Sequence, residues 1–600
     1  MHAQAFDAHG STEKRQPSHP QALKTATGPS NRPAPPAWRR IVLSPLLSYA
    51  GVIAFTIAAL LISFASLGIY PFGDLSVMLY DMPVQYANYF GWLIETMRGG
   101  GNLLYSNAAS LGGGTFSLFT YYLSSPFNLI APFFTPDDVP ALFSVLYLLK
   151  IPTCALACLL FLRGRLLAPE AESPTEARRQ AAGAPAQDQL ALALIACAYA
   201  LTSYVVGYAS NIMWLDGVYM LPLAALGVWR LVQRRNCSGL FVAATASILF
   251  NWYTGYMVCL FCVLYFFYEL ARRTRLKGAR LSTCVQFAIT LGLAVGAGIV
   301  VLLPTALSLL GGKGESAGLS SLLAGNVLSR NPLLTPNLFG IGVTPGITTT
   351  ANCPALVVSA AALVGFGLFF ANPSISKRSR ACAGVLAAAM LASVAITPLA
   401  TVWSGFVAES SYTNRNGFVV LFVICFIAAE GLTKMAKAPH PIKSALTGGG
   451  AVAILYLLSA LVWRASRGSW MPSSSLVGLE TALLLAFTGL AALISHAGSR
   501  REGQSERRAR RLCGTRALWA GALCMVVVFG AEEIHATKLQ LASCQYTVSD
   551  YAQDVEEIQA FYSPLYQAAD AGEFVRVGNT SVFWGASKYN GPDNMALVWD

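Results

Sequence analysis

The stretch GDLSVMLYDMPVQYANYFGWLIETMRGGG, from Gly73 to Gly101, follows the first long apolar run of the chain. From Pro83 onward, apolar side chains recur every three to four residues, which predicts one apolar stripe along a helix of about four turns. The stripe consists of Tyr86, Tyr89 or Phe90, Leu93 and Met97. Such a helix is too short to cross a bilayer, which takes about 20 residues. We therefore expect it to lie in the membrane interface, where tyrosine and tryptophan are favoured.

Two acidic residues in this stretch are candidate site residues. Asp81 stands directly before Met82 and Pro83, and proline is favoured in the first turn of a helix. Asp81 is therefore expected to cap this helix and to meet the positive end of its dipole. Capping would also fix the carboxylate just above the bilayer, where it could act as a general base, and the two roles can coexist. Asp74 is a second candidate, although its neighbours favour a turn residue.

The composition of the whole chain excludes a soluble multidomain protein. Of its 600 residues, 55% are hydrophobic and 12% are charged, and the mean hydropathy is +0.52. Long apolar runs predict an all-α polytopic membrane protein with about 13 transmembrane helices. The runs cover 41–69, 138–162, 189–208, 212–232, 238–252, 255–271, 282–310, 353–371, 381–402, 416–434, 446–464, 476–496 and 516–536.

The formal charge of +12 does not indicate a nucleic-acid partner, because the basic residues form short clusters between the apolar runs. All of these clusters fall on one side if the N-terminus is cytoplasmic, since positive residues near helix ends stay inside. Residues 1–40 are then a disordered cytoplasmic tail, and 41–536 form the transmembrane domain, with 70–137 as its first outer loop. The segment 537–600 is expected to be extracytoplasmic.

Four charged residues within or beside the apolar runs are further candidates. Lys150 lies near the middle of a run, where an ammonium group is costly without a partner or water. It either forms a structural ion pair with Asp216 or helps to hold a lipid phosphate; Asp216 lies near a helix end, where snorkelling or capping also explains it. Lys313 and Arg415 stand at outer helix ends, as headgroup anchors or as anion contacts. Arg415 is the better anion candidate, because guanidinium grips phosphate with two parallel bonds.

Common motifs of other enzyme classes are missing from the sequence. There is no GxxxxGK[ST] loop, no HExxH and no His/Cys metal spacing. No metal ligands are therefore assigned.

A series of short motifs follows in order along the chain. Asp81 stands four residues before Gln85 and Tyr86, and after them come SLGGG, YYLSSPFNLIAPFF, LLKI, NIMWLDG, NWYTGYM, LLPT, GGKG and TNRNGF. This order resembles the bacterial YfhO family of polytopic membrane proteins. The resemblance runs from about residue 40 to residue 435, and the final third is less similar. Family members commonly continue into a longer extracytoplasmic region, which implies a truncated or short C-terminal segment.

The resemblance implies a GT-C type glycosyltransferase, built as a GT-C-like helical bundle with interfacial helices in the first outer loop. Such enzymes take a sugar from a polyprenyl-phosphate carrier at the outer face and pass it to an acceptor. For YfhO-like proteins the acceptors include teichoic-acid-type polymers, as in lipoteichoic acid glycosylation. Carried over by position, the catalytic role falls on Asp81. The candidate substrate-binding residues are Asp74, Gln85, Tyr86, Lys150, Asp216, Lys313 and Arg415.

Two other functions fit the same pattern. A transporter or flippase of lipid-linked sugars would also use many crossings and membrane-embedded charges, although the chain has no visible internal repeat. A non-catalytic scaffold of envelope assembly would have little use for Lys150 in mid-membrane. Some GT-C relatives use a divalent metal ion and others do not, and one acid in this loop does not decide between them. The implied partners are the lipid-linked donor, an extracytoplasmic glycan or polymer acceptor and the bilayer.

Overall fold

The structure is a computed structural model, and it describes most of the chain from residue 45 to residue 570. The described residues are 45–99, 101–106, 113–167, 176, 180, 183–273, 280–310, 327–328, 331–341, 356–407, 412–466, 473–502 and 508–570. The predicted cytoplasmic tail and Lys313 lie outside them, and so does most of the loop 311–352.

Helices make up nearly all of the described chain. The longer α-helices are α1 (Pro45–Leu67), α2 (Ala87–Gly99), α3 (Val139–Leu166), α4 (Ala186–Ala200), α5 (Leu215–Arg234), α6 (Ser238–Phe250), α7 (Trp252–Arg272), α8 (Arg280–Ala297), α9 (Ile299–Leu310), α10 (Ala360–Ala371), α11 (Lys377–Ala395), α12 (Gly417–Lys434), α13 (Pro441–Ala465), α14 (Ser474–Glu502), α15 (Arg508–Leu541) and α16 (Val548–Asp570). Short helical segments are Met82–Tyr86, Phe116–Leu118, Phe119–Leu123, Pro126–Phe133, Pro136–Asp138, Ser203–Gly207, Tyr208–Ser210, Ile212–Trp214, Pro332–Phe339, Thr397–Trp403 and Met435–Lys437. One two-stranded antiparallel sheet pairs β1 (Tyr105–Ser106) with β2 (Gly113–Gly114).

The apolar runs become helices, as the sequence predicts, but fewer of them can cross a membrane. Eleven helices in the described residues are long and apolar enough to do so, which confirms an all-α polytopic protein. The runs at 238–252 and 353–371 form only the shorter helices α6 and α10. The run at 282–310 is divided at Gly298, where an added Cβ would lie 2.6 Å from the side chain of Ile248. A close approach by α6 therefore accompanies the break between α8 and α9.

The most deeply buried spans are α4, α5 and α12, and the other long helices surround them. Outer helices expose large apolar side chains such as Leu281, Leu293 and Leu523, as expected for surfaces that face lipid. Small residues permit close helix contacts in the interior. An added Cβ at Gly431 of α12 would lie 2.3 Å from the backbone oxygen of Gly365 on α10, so these backbones touch as in other membrane bundles.

The bundle has two chemically different ends. At one end, which we call the arginine end, buried ion pairs join α3, α7 and α12. Glu430 accepts from Arg165 at 3.0 Å, Arg272 at 2.6 Å and Lys434 at 2.6 Å, and Arg165 also bonds Glu269 at 2.9 Å. We call the opposite end, which carries the first-loop segment before α2, the Asp81 end.

The apolar stripe of the first loop packs against the protein itself. Tyr86, Tyr89, Phe90 and Leu93 are buried, as predicted, whereas Met97 is exposed. The helix α2 that carries most of the stripe contacts α3 and the segment Pro126–Phe133. Its position in the membrane interface stays a prediction. The predicted boundary at residue 536 falls inside α15, which continues to Leu541.

Candidate functional site

Asp81 precedes the helical segment Met82–Tyr86, but its side chain does not cap that segment. Its backbone is helical, with φ −77° and ψ −12°, and no capping hydrogen bond is made by the carboxylate. Side-chain capping requires an extended backbone at the first position, which swings the side-chain oxygen over the N–H groups. The expectation that Asp81 caps this helix is therefore wrong.

Two tyrosine hydroxyl groups contact the Asp81 carboxylate. The hydroxyl oxygens of Tyr86 and Tyr412 each lie 3.4 Å from Asp81 Oδ2, and the Tyr86 hydroxyl donates to Asn211 Oδ1 at 2.8 Å. Burial first, and then neighbouring groups that include Asp81, raise the pKa of Tyr86 and of Tyr412 well above the ordinary value. Both phenols therefore stay protonated at neutral pH and serve as donors. Asp81 is itself only half-buried.

The backbone beside this carboxylate is strained. The backbone φ values of Tyr80, Tyr412 and Asn414 are 57°, 52° and 58°. These values lie in the left-handed region, which residues other than glycine seldom adopt. Each such residue costs about 1–3 kcal/mol, and such residues cluster at active sites and ligand clamps. Their concentration around Asp81 is consistent with a functional site.

Aromatic side chains from distant parts of the chain surround Asp81. Ring centroids lie 4.5 to 6.3 Å apart within one connected group, which we call the aromatic cluster. Its members are Tyr80, Tyr86, Tyr89, Tyr121, Tyr122, Tyr208, Trp214, Trp252, Tyr253 and Tyr412. They come from the first loop, from the segment between α4 and α5, from the start of α7 and from the residues before α12.

Arg415 lies in the same cluster. Its Nη1 donates to the Tyr253 hydroxyl at 3.1 Å, and its guanidinium carbon lies 5.8 Å from the ring centroids of both Trp214 and Tyr253. The Tyr204 hydroxyl donates to its backbone oxygen at 2.7 Å, which fixes the chain at this point. A cation stacked on aromatic rings is oriented by their negative faces. Arg415 is half-buried, as Asp81 is.

The two charged groups act on a common neighbour, Tyr121. Burial raises its pKa to about 12; Arg415 lowers that value, and Asp81 raises it. Asp81 and Arg415 are therefore close enough to share one electrostatic environment, although they stand 334 positions apart (415 − 81). Gln85, a further predicted site residue, hydrogen-bonds Tyr89, whose pKa burial raises to about 12.

Lys150 and Asp216 form the ion pair that the sequence offered as one alternative. Their charged atoms lie 2.8 Å apart, and the side chains are 0% and 1% exposed. Lys150 also donates to the backbone oxygen of Ile212 at 3.0 Å. The Asp216 carboxylate accepts from Ser125 at 2.7 Å and from Tyr219 at 2.5 Å. Both charged groups are therefore buried and bonded to the protein itself, as in a structural ion pair.

Asp74 lies apart from the aromatic cluster. It is exposed, and its carboxylate accepts hydrogen bonds from the backbone N–H and the hydroxyl of Ser549, at the start of α16. The Val548 N–H donates to the Asp74 backbone oxygen at 2.7 Å. Asp74 therefore ties the first turn of α16 to the first loop.

Several residues of the site were not identified from the sequence. Each of them lies in or beside a motif that resembles the family: Tyr412 directly before TNRNGF, Trp214 in NIMWLDG and Tyr121 in YYLSS. The motifs do not show which side chains contact one another. Asn211, the acceptor for the Tyr86 hydroxyl, also lies in NIMWLDG and was missed for the same reason. Among the described residues, no three His, Cys, Asp or Glu side chains are arranged to hold a metal ion.

Comparison with known proteins adds a family and one weak structural similarity. The family described as "Bacterial membrane protein YfhO" matches residues 52–597, so the match extends through the final third, beyond the predicted limit at residue 435. No curated protein matches. A cryo-EM structure of a mutant arabinofuranosyltransferase AftD from Mycobacteria is similar at 13% identity and a TM-score of 0.38, over 68% of this chain and 27% of that chain. This chain thus spans about a quarter of that structure's length.

Proposed function

The chain belongs to the YfhO family of bacterial membrane proteins, and on that premise we propose that it is a membrane glycosyltransferase. Its donor is a sugar linked to a polyprenyl phosphate, and its acceptor is a hydroxyl group of a cell-envelope glycan or polymer, such as a teichoic acid. The observation that carries this proposal is the presence of a half-buried carboxylate and a half-buried guanidinium in one aromatic cluster.

Asp81 is the proposed general base. The acceptor hydroxyl attacks the anomeric carbon of the donor sugar, and Asp81 takes the hydroxyl proton. A new bond forms between the acceptor oxygen and the anomeric carbon, and the bond from that carbon to the phosphate oxygen breaks, with inversion. A positioned base of this kind contributes about 10²–10⁴ to the rate. The Tyr412 hydroxyl donates to the carboxylate at 3.4 Å, and the Tyr86 hydroxyl, whose proton goes to Asn211, lies at the same distance.

Arg415 is the proposed phosphate contact. Negative charge develops on the phosphate as the sugar leaves, and a fixed cation stabilises that charge most strongly where water is limited. The contacts of Arg415 with Trp214 and Tyr253 orient its guanidinium. A planar guanidinium can then bond two phosphate oxygens in parallel.

The aromatic cluster suits the rest of the donor. Its rings offer flat apolar faces, and its phenols and indoles offer hydrogen-bonding groups at their edges. Both features complement a sugar ring, which has apolar C–H faces and a rim of hydroxyls. Because the cluster lies at one end of a bundle of apolar helices, a polyprenyl chain can stay in lipid while its head group reaches Asp81.

The Asp81 end is proposed to face the extracytoplasmic side. The basic clusters of three loops meet at the opposite end, where Arg273 bonds the Val232 oxygen of α5 and Arg378 bonds the Ala271 oxygen of α7. Positive residues of short loops remain in the cytoplasm. Teichoic-acid-type acceptors would meet the enzyme on the other side.

A donor assay tests this function against transport. The purified full-length chain is reconstituted in liposomes with a polyprenyl-phosphate sugar that is radiolabelled in the sugar, together with an envelope polymer acceptor. We expect label in a new glycosidic bond to the acceptor and release of polyprenyl phosphate. Movement of intact labelled lipid across the bilayer, with no labelled polymer, would instead identify a flippase.

A further inference from the structure

One face of α15 carries a row of buried polar side chains as it approaches the Asp81 end. Glu533, Thr537 and Gln540 recur at intervals of four and three residues, so they lie on one helix face. Their exposed fractions are 2%, 0% and 1%. Ser543, three residues further along, is also buried.

These side chains have polar atoms without protein partners in the described part of the chain. The unpartnered atoms are Oε1 of Glu533, Oγ1 of Thr537, both amide atoms of Gln540 and Oγ of Ser543. A buried polar atom that makes no hydrogen bond costs several kcal/mol in an apolar surrounding, so such atoms in proteins bond to ordered water. The row therefore offers a series of hydrogen-bonding positions for ordered water along this face.

The end of the row that lies deeper in the bundle, at Glu533, is part of a group of three carboxyl groups. Glu480 of α14 accepts from the Ile341 N–H at 3.1 Å, and Glu532 accepts from the hydroxyl of Ser359 at 2.9 Å and the N–H of Ala360. Glu533 is the third, and the three interact electrostatically. We call them the carboxyl trio.

No cation compensates the carboxyl trio within the described residues. The ion pairs found there involve Lys150, Arg165, Arg272 and Lys434. Among the described residues, weakly acidic groups face the trio from other helices: Tyr456 of α13, Cys197 of α4 and Cys425 of α12. Burial with no cation nearby disfavours the charged form of a carboxyl group, so the trio is suited to bind protons.

The other end of the row lies at the Asp81 end. Glu533 lies eight residues before Leu541, the last residue of α15, which is about 12 Å along a helix. Beyond it, the Ser76 N–H donates to the Tyr546 oxygen at 2.9 Å, so the chain after α15 pairs with the loop that leads to Asp81.

We propose that this face of α15 lines a narrow, water-filled path that connects the surface at the Asp81 end with a proton-binding site formed by Glu480, Glu532 and Glu533. The ligand is the proton, and the path approaches its site from the Asp81 end. The path is separate from the aromatic cluster and does not depend on the proposed glycosyl transfer.

Thiol labelling tests the path. Thr537→Cys and Gln540→Cys are placed in the full-length chain in lipid nanodiscs and treated with a cationic methanethiosulfonate reagent; labelling of each peptide is followed by mass spectrometry, which separates the native thiols. The matched control is Ala536→Cys, at the same depth but packed on Ile341 and Val357. We expect the first two to react about tenfold or more faster than the control, because only they face water. Equal rates, whether slow or fast, would overturn the path.

Carbodiimide labelling tests the proton. Dicyclohexylcarbodiimide reacts with protonated carboxyl groups in apolar surroundings, and we expect it to modify Glu480 or Glu533 at neutral pH. Replacement of the labelled residue by glutamine should remove the label from that peptide. Absence of any label on the trio, or its suppression by an excess of sodium ions, would contradict proton binding; the second result would identify a cation site.

Discussion

Asp81 and Asp216 are both acids on the Asp81 half of the bundle, and they differ in exposure and in partners. Asp216 is buried and holds Lys150 at 2.8 Å, so its negative charge is already compensated. Asp81 is half-buried, and its neighbours include Tyr86 and Tyr412, two neutral phenols whose hydroxyl oxygens lie 3.4 Å from the carboxylate. A compensated, dry carboxylate has little tendency to take a proton from an incoming hydroxyl, whereas a solvent-accessible carboxylate can do so.

The difference also shows how the buried pair supports the other site. Lys150 donates to the backbone oxygen of Ile212 as well as to Asp216. Ile212 and Asp216 stand two residues before and two residues after Trp214 in the chain. Asn211, directly before Ile212, accepts the Tyr86 hydroxyl, while Trp214 packs on Tyr412 and Arg415. The ion pair thus fixes a segment from which two side chains reach the aromatic cluster. In the proposed enzyme, the Asp81 region contributes an accessible charge, and the Lys150–Asp216 pair contributes rigidity.

Replacing Lys150 should cause the largest change, a loss of stability. In Lys150→Met the Asp216 carboxylate loses its cation in a buried site, and we expect the free energy of unfolding to fall by about 3–5 kcal/mol. Unfolding by SDS in mixed micelles measures this. The double variant Lys150→Met with Asp216→Leu leaves no buried charge and should regain much of the loss. A single variant as stable as the wild type would mean that the pair has no structural role.

Arg415→Gln should affect the donor and not the fold. A hydrogen bond to a charged group contributes about 1.5–3 kcal/mol, so we expect kcat/KM for the lipid-linked donor to fall by about 10- to 100-fold. Steady-state kinetics with varied donor concentration measure this. Arg464→Gln, an exposed arginine at the end of α13, is the matched control and should leave kcat/KM unchanged. The phosphate assignment fails if both variants behave alike.

Tyr412→Phe should give the smallest change. It removes one hydroxyl group that lies 3.4 Å from Asp81, and because a hydrogen bond of this length is weak, its loss costs about 0.5–1.5 kcal/mol. We expect kcat to fall by about two- to tenfold, with the melting temperature nearly unchanged. Tyr105→Phe, at an exposed tyrosine of the first loop, serves as the control. A loss as large as that of an Asp81 variant would make Tyr412, rather than Asp81, the centre of the chemistry.

Much of the fold could be predicted, because a spanning helix requires a long apolar run and little else. The details that failed depend on tertiary contacts. The run at 353–371 begins its helix only at Ala360, where Ser359 caps the N-terminus and Glu532 of a distant helix accepts its first N–H. The break at Gly298 accompanies the close approach of Ile248. Neither partner can be read from the local pattern.

The site was predicted in part. Asp81, Tyr86 and Arg415 belong to recognisable motifs, and the structure places them in one cluster. The aromatic neighbours were missed because rings contact one another across more than a hundred residues of chain, and an aromatic residue at a helix end is common in any membrane protein. The ion pair between Lys150 and Asp216 was one of two alternatives for Lys150. The sequence could not choose between them, because the choice depends on the distance between the two side chains and on their burial.

The central claim is that Asp81, and not another acid of the first loop, removes the acceptor proton. Single-turnover transfer from a polyprenyl-phosphate sugar, measured for Asp81→Asn and Asp74→Asn in the same liposomes, tests it most directly. Because the Asp81 side chain caps no helix, Asp81→Asn should fold normally and transfer sugar about 10²–10⁴ times more slowly. Asp74→Asn, altered where the loop meets α16, should stay close to the wild-type rate. Wild-type transfer by Asp81→Asn would contradict the account.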